Sequence, residues 1–337
     1  MFRHRLATKQ AYCEALRLHK ERENMKQDLS KAAMLVSVNI VNGGLLGERK
    51  DQEATELVRS TYDVADKRAK ASKYLIDRKH KKVKAVVAAA QRVRETLYKY
   101  TNPWGDDKGS SRLLVVKLEP ELRRNLDYAI KELKGAWKDY YHVYPQLVAD
   151  SEKELGKLFD RAQYPDPDRI MELFKVNVRY WPFPDSGHFV ADVSEEAAKR
   201  ARQEIEAEIE DRLLHATFDM VDRAKTVVSA LMERLESFKK KDKTSGAKSF
   251  RDSILTNIET TANLIESMNI TNNPEITKVV WNLNRLVNVS AHTLRNYEGE
   301  RLKVLTIGQE VMANLAMLEL KDKEVSSLVA DAGEYMD

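Results

Sequence analysis

Two apolar series limit what this chain can fold into. Leu122, Leu126, Ile130, Leu133, Trp137, Tyr140, Tyr144, Leu147, Ser151, Leu155, Leu158 and Ala162 recur at steps of three and four. Ala198, Ala201, Ile205, Ile209, Leu213, Ala216, Met220, Ala224, Val227, Leu231, Leu235 and Phe238 do the same. That spacing keeps the apolar side chains on one face of a 3.6-residue helix, so each series is a long amphipathic helix whose stripe needs a cover. At 1.5 Å per residue each reaches about 60 Å, the first with a kink at its internal Pro145. Two matched stripes cover each other most simply, which predicts a long antiparallel helical hairpin with coiled-coil-like packing.

The segment joining them changes period. Residues 176–193 read V-N-V-R-Y-W-P-F-P-D-S-G-H-F-V-A-D-V. Alternation around a Pro/Gly turn predicts a small β-hairpin at the tip. Tyr164-Pro165 closes its base on one side and Ser194 on the other, a helix N-cap followed by Glu195 and Glu196 at the positive helix end.

The flanks are shorter elements. Residues 9–26 form a weakly amphipathic helix, and 34–41 alternate as a strand that stops at Asn42-Gly43-Gly44. Helix resumes near Asp51 and runs to Tyr100 with one break around Asp77. A turn-rich loop carrying Trp104, Asp106 and Asp107 leads to a short strand or packed loop at Leu113. Residues 239–246 form a polar linker, and three helices follow at 250–268, 274–297 and 301–320, before a frayed acidic tail. Asn273-Pro274 supplies N-cap and first-turn proline to the second of them. The expected organisation is therefore a basic helical region at 1–117, the hairpin at 118–240 with its tip at 176–193, and C-terminal helices at 250–337. The fold class is mainly α, with the N- and C-terminal segments bundled at the open end of the hairpin.

Composition agrees with long, solvent-rich helices: 33% charged residues, only 12 Gly and 8 Pro, and a mean hydropathy of −0.55. The net charge of +4 hides an asymmetry: residues 1–100 hold 23 Lys/Arg against 12 Asp/Glu, a net +11, which leaves −7 for the rest. The basic third suits either an anionic partner or head-to-tail contact between copies. A single cysteine, Cys13, excludes an intrachain disulfide and fits a reducing compartment. No apolar run is long enough for a transmembrane segment, and the opening M-F-R-H-R-L argues against a signal peptide. The expected location is cytoplasmic, in a cell or an infected host cell.

Motifs with a strong mechanistic reading are absent: there is no P-loop, G-x-G-x-x-G, H-E-x-x-H, C-x-x-C or G-x-S-x-G. None of the seven histidines lies three or four residues from another, which excludes a helical zinc pair. Asp106-Asp107 reads as turn chemistry, with cation binding the alternative. His188 near Asp185 is a candidate pH-sensitive pair. The chain is accordingly read as non-enzymatic, with no catalytic residue, metal or cofactor.

Two groups remain as contact candidates. Tyr180, Trp181, Phe183 and Phe189 in the tip, together with Trp104, form a candidate partner surface. The alternatives are a hairpin packed on its own helices and a membrane-interface foot, and Arg179, Asp185 and Asp192 argue against deep insertion in lipid. Arg78, Lys79, Lys81, Lys82 and Lys84 form the densest basic run. It reads as a solvated helix face, as contact with an acidic protein, or as an anion or nucleic-acid contact. Trp137, Tyr140, Tyr141 and Tyr144 read as core plus interface.

Several stretches carry a likeness more specific than helix composition: L-V-S-V-N-I at 35–40, E-R-K-D-Q-E-A-T at 48–55, Y-T-N-P-W-G-D-D at 100–107 with Arg112-Leu-Leu114, A-Q-Y-P-D at 162–166 and P-F-P-D-S-G-H-F at 182–189. Over residues 35–200 the chain resembles an uncharacterised helical family encoded by tailed bacteriophages and related mobile elements. The resemblance implies no catalytic residues. It implies a gene neighbourhood with a MoxR-like AAA+ ATPase and a von Willebrand-type metal-binding protein. The chain departs from the pattern at Val41-Asn42, where an aromatic commonly precedes the first glycine. The expected function is a phage-type assembly or adaptor protein that forms a homo-oligomer and binds protein partners, an AAA+ ATPase included. The alternative is nucleic-acid binding through the basic N-terminal third.

Overall fold

The computed structural model describes residues 29–64, 68–105, 111–184, 194–238 and 251–334, with side chains in the last helix as far as 318. The expected helix at 9–26, the linker at 239–246, Asp106-Asp107 and the second half of the tip lie outside these residues. Among the described residues the protein is mainly helical with a small sheet. In chain order come β1 (Ala33–Asn42), β2 (Glu48–Asp51), α1 (Gln52–Thr61), β3 (Ala71–Tyr74), α2 (Lys81–Tyr100), β4 (Asn102–Pro103), β5 (Arg112–Val115) and α3 (Glu119–Leu155). They are followed by β6 (Phe174–Pro182), α4 (Glu195–Glu236), α5 (Ser253–Met268), α6 (Pro274–Val287), α7 (Ala291–Asn296) and α8 (Glu298–Glu334).

The strands form one sheet in the order β4-β5-β1-β6 and a separate β2-β3 ribbon. β4 and β5 run antiparallel, with Asn102 opposite Leu113, and β2 and β3 likewise, with Glu48 opposite Tyr74. The turn after β1 needs its glycines: Gly43 and Gly44 sit at φ +62° and +71°, and a Cβ on Gly43 would come within 3.2 Å of Leu173. Asn42 Oδ1 accepts the Gly44 amide at 3.1 Å, closing the turn locally.

The chain divides into two compact units that do not follow sequence order. The smaller holds Val36–Tyr100 and Glu119–Tyr180. There α3 packs on α2, whose buried Val83, Val86, Ala89, Val93 and Leu97 form a stripe of their own. On α3 the buried face is Leu122, Leu126, Ala129, Leu133, Trp137, Tyr140, Tyr144 and Leu147. Pro145 is accommodated inside this one helix. The larger unit holds Met1–Leu35, Thr101–Leu118 and Trp181–Asp337, and in it α4 packs on α5, α6 and α8. Gly308 lets α8 approach α4 closely, since a Cβ there would sit 3.0 Å from Met232.

The two long helices are therefore present, but each stripe is covered from within its own unit, α3 by α2 and α4 by α5, α6 and α8. Periodicity identifies an apolar face without naming its partner, and α2 offers a matching face to α3. Gly156, at φ +51°, ends α3 earlier than the apolar series suggests, so Leu158 is 45% exposed and Ala162 belongs to a separate 3₁₀ turn. The helix expected across 51–100 is interrupted by β3 as well as by the turn near Asp77. Asn273 and Pro274 begin α6 as expected, Asn273 Oδ1 accepting the Glu275 amide at 2.9 Å. A second stop follows at Asn288, and α8 continues to Glu334 through the start of the expected tail.

In the smaller unit two tyrosines and a tryptophan fasten the segment after α3. The Trp137 Nε1–H donates to Ile170 O at 3.3 Å, Tyr144 OH to Pro165 O at 3.0 Å and Tyr164 OH to Leu75 O at 2.8 Å. Tyr140 is equally buried, yet its hydroxyl has no partner among the described residues. Burial pushes the Tyr144 phenol up to about 12 and moves Tyr140 further in the same direction. Two conservative variants should therefore part company in urea titrations. Tyr144→Phe is expected to cost about 1 kcal/mol by orphaning the Pro165 carbonyl, whereas Tyr140→Phe is expected to be neutral or stabilising by up to about 1 kcal/mol.

Candidate functional site

An opening in the larger unit is built around Trp104. Its foundation is Thr101, fully buried, whose carbonyl accepts from Arg112 Nη2 at 3.0 Å and from Arg223 Nη2 at 2.6 Å. Arg112 Nε also donates to Thr101 Oγ1 at 2.7 Å, and Arg223 reaches Asp219 one turn earlier on α4 at 2.7 Å. These charge-assisted bonds hold the short β4 against α4. They are needed, because Asn102 is buried with its Oδ1 unpartnered among the described residues.

Held this way, Trp104 is 5% exposed and packs against Phe183 at 5.1 Å between ring centroids. It belongs to a buried cluster with Leu29, Leu35, Leu113, Ile209 and Ala216. The Arg212 guanidinium lies 5.8 Å from its indole, and Arg212 in turn pairs with Glu208. Beside it a cleft of about 560 Å³ is lined by Pro103, Trp104, Gly105, Arg212, His215, Phe218, Asp219 and Asp222. His215 Nδ1 lies 3.2 Å from Asp211. The lining sets Arg212, His215, Asp219 and Asp222 beside the Trp104 and Phe218 rings, and the partners of the first three, Glu208, Asp211 and Arg223, stand outside it. The smaller unit has a second hollow, of about 250 Å³, bordered by Asn42, Gly44, Val87, Arg94 and Phe174. Among the described residues no group of three His, Cys, Asp or Glu side chains is placed to hold a metal ion, and no helix is long and apolar enough to cross a membrane.

The candidate partner surface separates into buried and exposed members. Trp104 and Phe183 come together, but inside the core, so neither is offered to a partner. Trp181 is 39% exposed on β6. Its neighbour Tyr180 is half-buried under the Arg123 guanidinium at 5.5 Å, and burial raises its phenol pKa while Arg123 opposes the shift. The first half of the expected tip is a strand, β6, and its described neighbour is β1. Phe189, Asp185, His188 and Asp192 lie outside the described residues.

The basic run sits at the start of α2, where no acidic residue occupies the first turn. Two of its members are already engaged. Arg78 lies 5.0 Å over the Tyr74 ring, and Lys82 bonds Asp139 at 2.6 Å, which holds that carboxyl below the usual range. Lys79, Lys81 and Lys84 are exposed.

The sequence reading missed the α4 residues that face Trp104: Arg212, His215, Asp219 and Arg223. A signal existed in polar residues repeating at three and four beside the apolar stripe, with Asp219 and Arg223 spaced for an ion pair. Nothing in that pattern indicated that β4 would lie alongside. Comparison with known proteins finds no matching family model, no matching curated protein and no matching solved structure.

Proposed function

We propose that this chain is a non-enzymatic assembly or adaptor protein of the phage type, working in the host cytoplasm, which self-associates and binds protein partners, an AAA+ ATPase among them. The observation that carries this reading is α1. It is amphipathic, begins on an N-cap from Asp51 Oδ1 to the Ala54 amide at 2.9 Å, and has no buried residue. Leu57 and Tyr62 are 67% and 75% exposed, and the element beside α1 is the two-stranded β2-β3 ribbon. A ten-residue helix and an isolated ribbon are each marginal in water, and a protein that covers the apolar side of α1 completes the burial both lack.

Size-exclusion chromatography with light scattering tests the reading. The expected mass is at least twice the 38.7 kDa of one chain. A strict monomer across the accessible concentration range rejects self-association. The MoxR-like ATPase added before the column should co-elute, and should cease to do so with Leu57→Arg. A second reading, phosphate contact by the basic run, has the exposure of Lys79, Lys81 and Lys84 in its favour. In that case a duplex oligonucleotide co-elutes at low salt and is released steeply as salt rises, a response an apolar interface does not share.

A further inference from the structure

The hollow of about 250 Å³ in the smaller unit is lined by residues of that unit, between α2 and the end of β1. Its walls are apolar: Ile40, Leu46, Val86, Val87, Leu133 and Phe174. Val87 is 39% exposed, so this apolar lining reaches the surface. Asn42 and Arg94 are the polar side chains of the lining, and no carboxylate belongs to it. The glycine turn orients the Asn42 amide: its Oδ1 accepts the Gly44 N–H at 3.1 Å, which leaves the Nδ2 donors for another acceptor. Arg94 is exposed, and its neighbours one turn away on α2 are Ala90, Gln91, Leu97 and Tyr98, none of them acidic. Arg92, on the same helix, pairs instead with Glu132 of α3 at 3.3 Å. Among the described residues neither the Arg94 guanidinium nor Asn42 Nδ2 has a hydrogen-bonding or ionic partner.

We propose that this hollow binds a small apolar carboxylic acid, its carboxylate held at the rim by Arg94 and Asn42 Nδ2 and its hydrocarbon body against Leu133 and Phe174. The donors decide the head group. A guanidinium and an amide N–H with no carboxylate beside them repel a cation, and the planar guanidinium fork matches a carboxylate. The walls decide the body, since apolar side chains favour hydrocarbon removed from water and disfavour a buried polar group without a partner. A bare inorganic anion would use the rim alone and leave those walls wet. The volume decides the size. A cavity of about 150 Å³ takes benzene and drug-sized ligands occupy about 300–1,000 Å³, so a hollow of about 250 Å³ suits one ring with a short arm. This site is independent of the self-association reading, which neither needs it nor falls with it.

Phenylpropionate is the probe, titrated into the full chain by calorimetry and followed by saturation-transfer NMR on the ligand. The expected dissociation constant is about 0.1–1 mM, in keeping with a ligand of that size. Binding should weaken about tenfold or more for the neutral amide of the same acid, and equally for Arg94→Gln, the scale of one charge-assisted hydrogen bond. Ala90→Leu fills the hollow from a half-buried lining position, keeps Arg94, and should abolish binding. Glutamine and leucine are both good helix formers, and circular dichroism verifies that each variant keeps its helix content. Equal binding of acid and amide, or an unchanged constant for Arg94→Gln, overturns the placement of the carboxylate at Arg94. Undiminished binding to Ala90→Leu overturns the hollow as the site. A peptide ending in a phenylalanine carboxylate that binds about tenfold tighter than phenylpropionate overturns the free acid as occupant in favour of a chain terminus. The absence of saturable binding well above the expected constant overturns the proposal outright, whatever part of the chain then covers the hollow.

Discussion

Trp137→Ala should lower the stability of the smaller unit by about 3–5 kcal/mol, a large share of the roughly 5–15 kcal/mol that holds a domain folded. The indole is fully buried. It stacks on Phe174 at 4.8 Å and 17°, contacts Tyr140 at 4.9 Å, and uses its Nε1–H on the Ile170 carbonyl. Alanine removes the ring's apolar area, leaves a cavity beside α2 and α3, and orphans that carbonyl. Trp137→Phe separates the effects: a ring remains, the donor does not, and the expected cost falls to about 1–2 kcal/mol. Urea titration followed by circular dichroism measures both. Hydrogen exchange should speed up in α2 and α3 for the alanine variant first. An unchanged midpoint for Trp137→Ala would mean that this aromatic stack is not where the unit is held.

Part of the fold was legible because local chemistry decides it. The alternation of Val36, Val38 and Ile40 with the Asn42-Gly43-Gly44 stop marked β1, since only glycine suits the positive φ beside Leu173. Steps of three and four marked α3 and α4, and Ser194 and Pro274 marked two helix starts. What stayed hidden depends on partners distant in sequence. β2 and β3 read E-R-K-D and A-S-K-Y, charged ribbons with no apolar alternation to betray them. They pair along their backbones, and the ion pair of Lys73 with Asp51, at 2.8 Å, crosses between them. Lys73 and the Ala54 amide hold the Asp51 carboxyl below its usual range. The cover for each long stripe was equally open, because an apolar face accepts any apolar face of similar length.

The candidate site shows the same limit. Aromatic content singled out Trp104, Phe183 and Trp181 alike, yet two are core and one is surface. Trp104 and Phe183 are buried because β4 brings the first of them onto α4, and β4 is only two residues, Asn102 and Pro103, the first of them buried with its side-chain Oδ1 unpartnered among the described residues. Such a strand stays in place through what holds Thr101. The polar residues that do so are Arg112 on β5, 11 residues away, and Arg223 on α4, 122 residues away.

Arg223 is the residue on which that arrangement turns. Arg223→Met keeps most of the aliphatic stem but removes the donor to the Thr101 carbonyl and the partner of Asp219, whose side chain is only 28% exposed. The expected cost is about 1.5–3 kcal/mol, the range for losing a hydrogen bond to a charged group while leaving a half-buried carboxylate alone. Arg223→Lys should recover little of it, because one ammonium on a flexible stem lacks the planar fork that serves Asp219 and Thr101 together. Thermal melts give the magnitude, and hydrogen exchange at residues 101–104 gives the place. Those amides should exchange faster in Arg223→Met while α6 and α8 keep their protection, and the Trp104 indole should become accessible to acrylamide. If the melt and the exchange match the unsubstituted protein, Arg112 alone suffices to hold Thr101, and the cleft beside Trp104 is built from β5 rather than from α4.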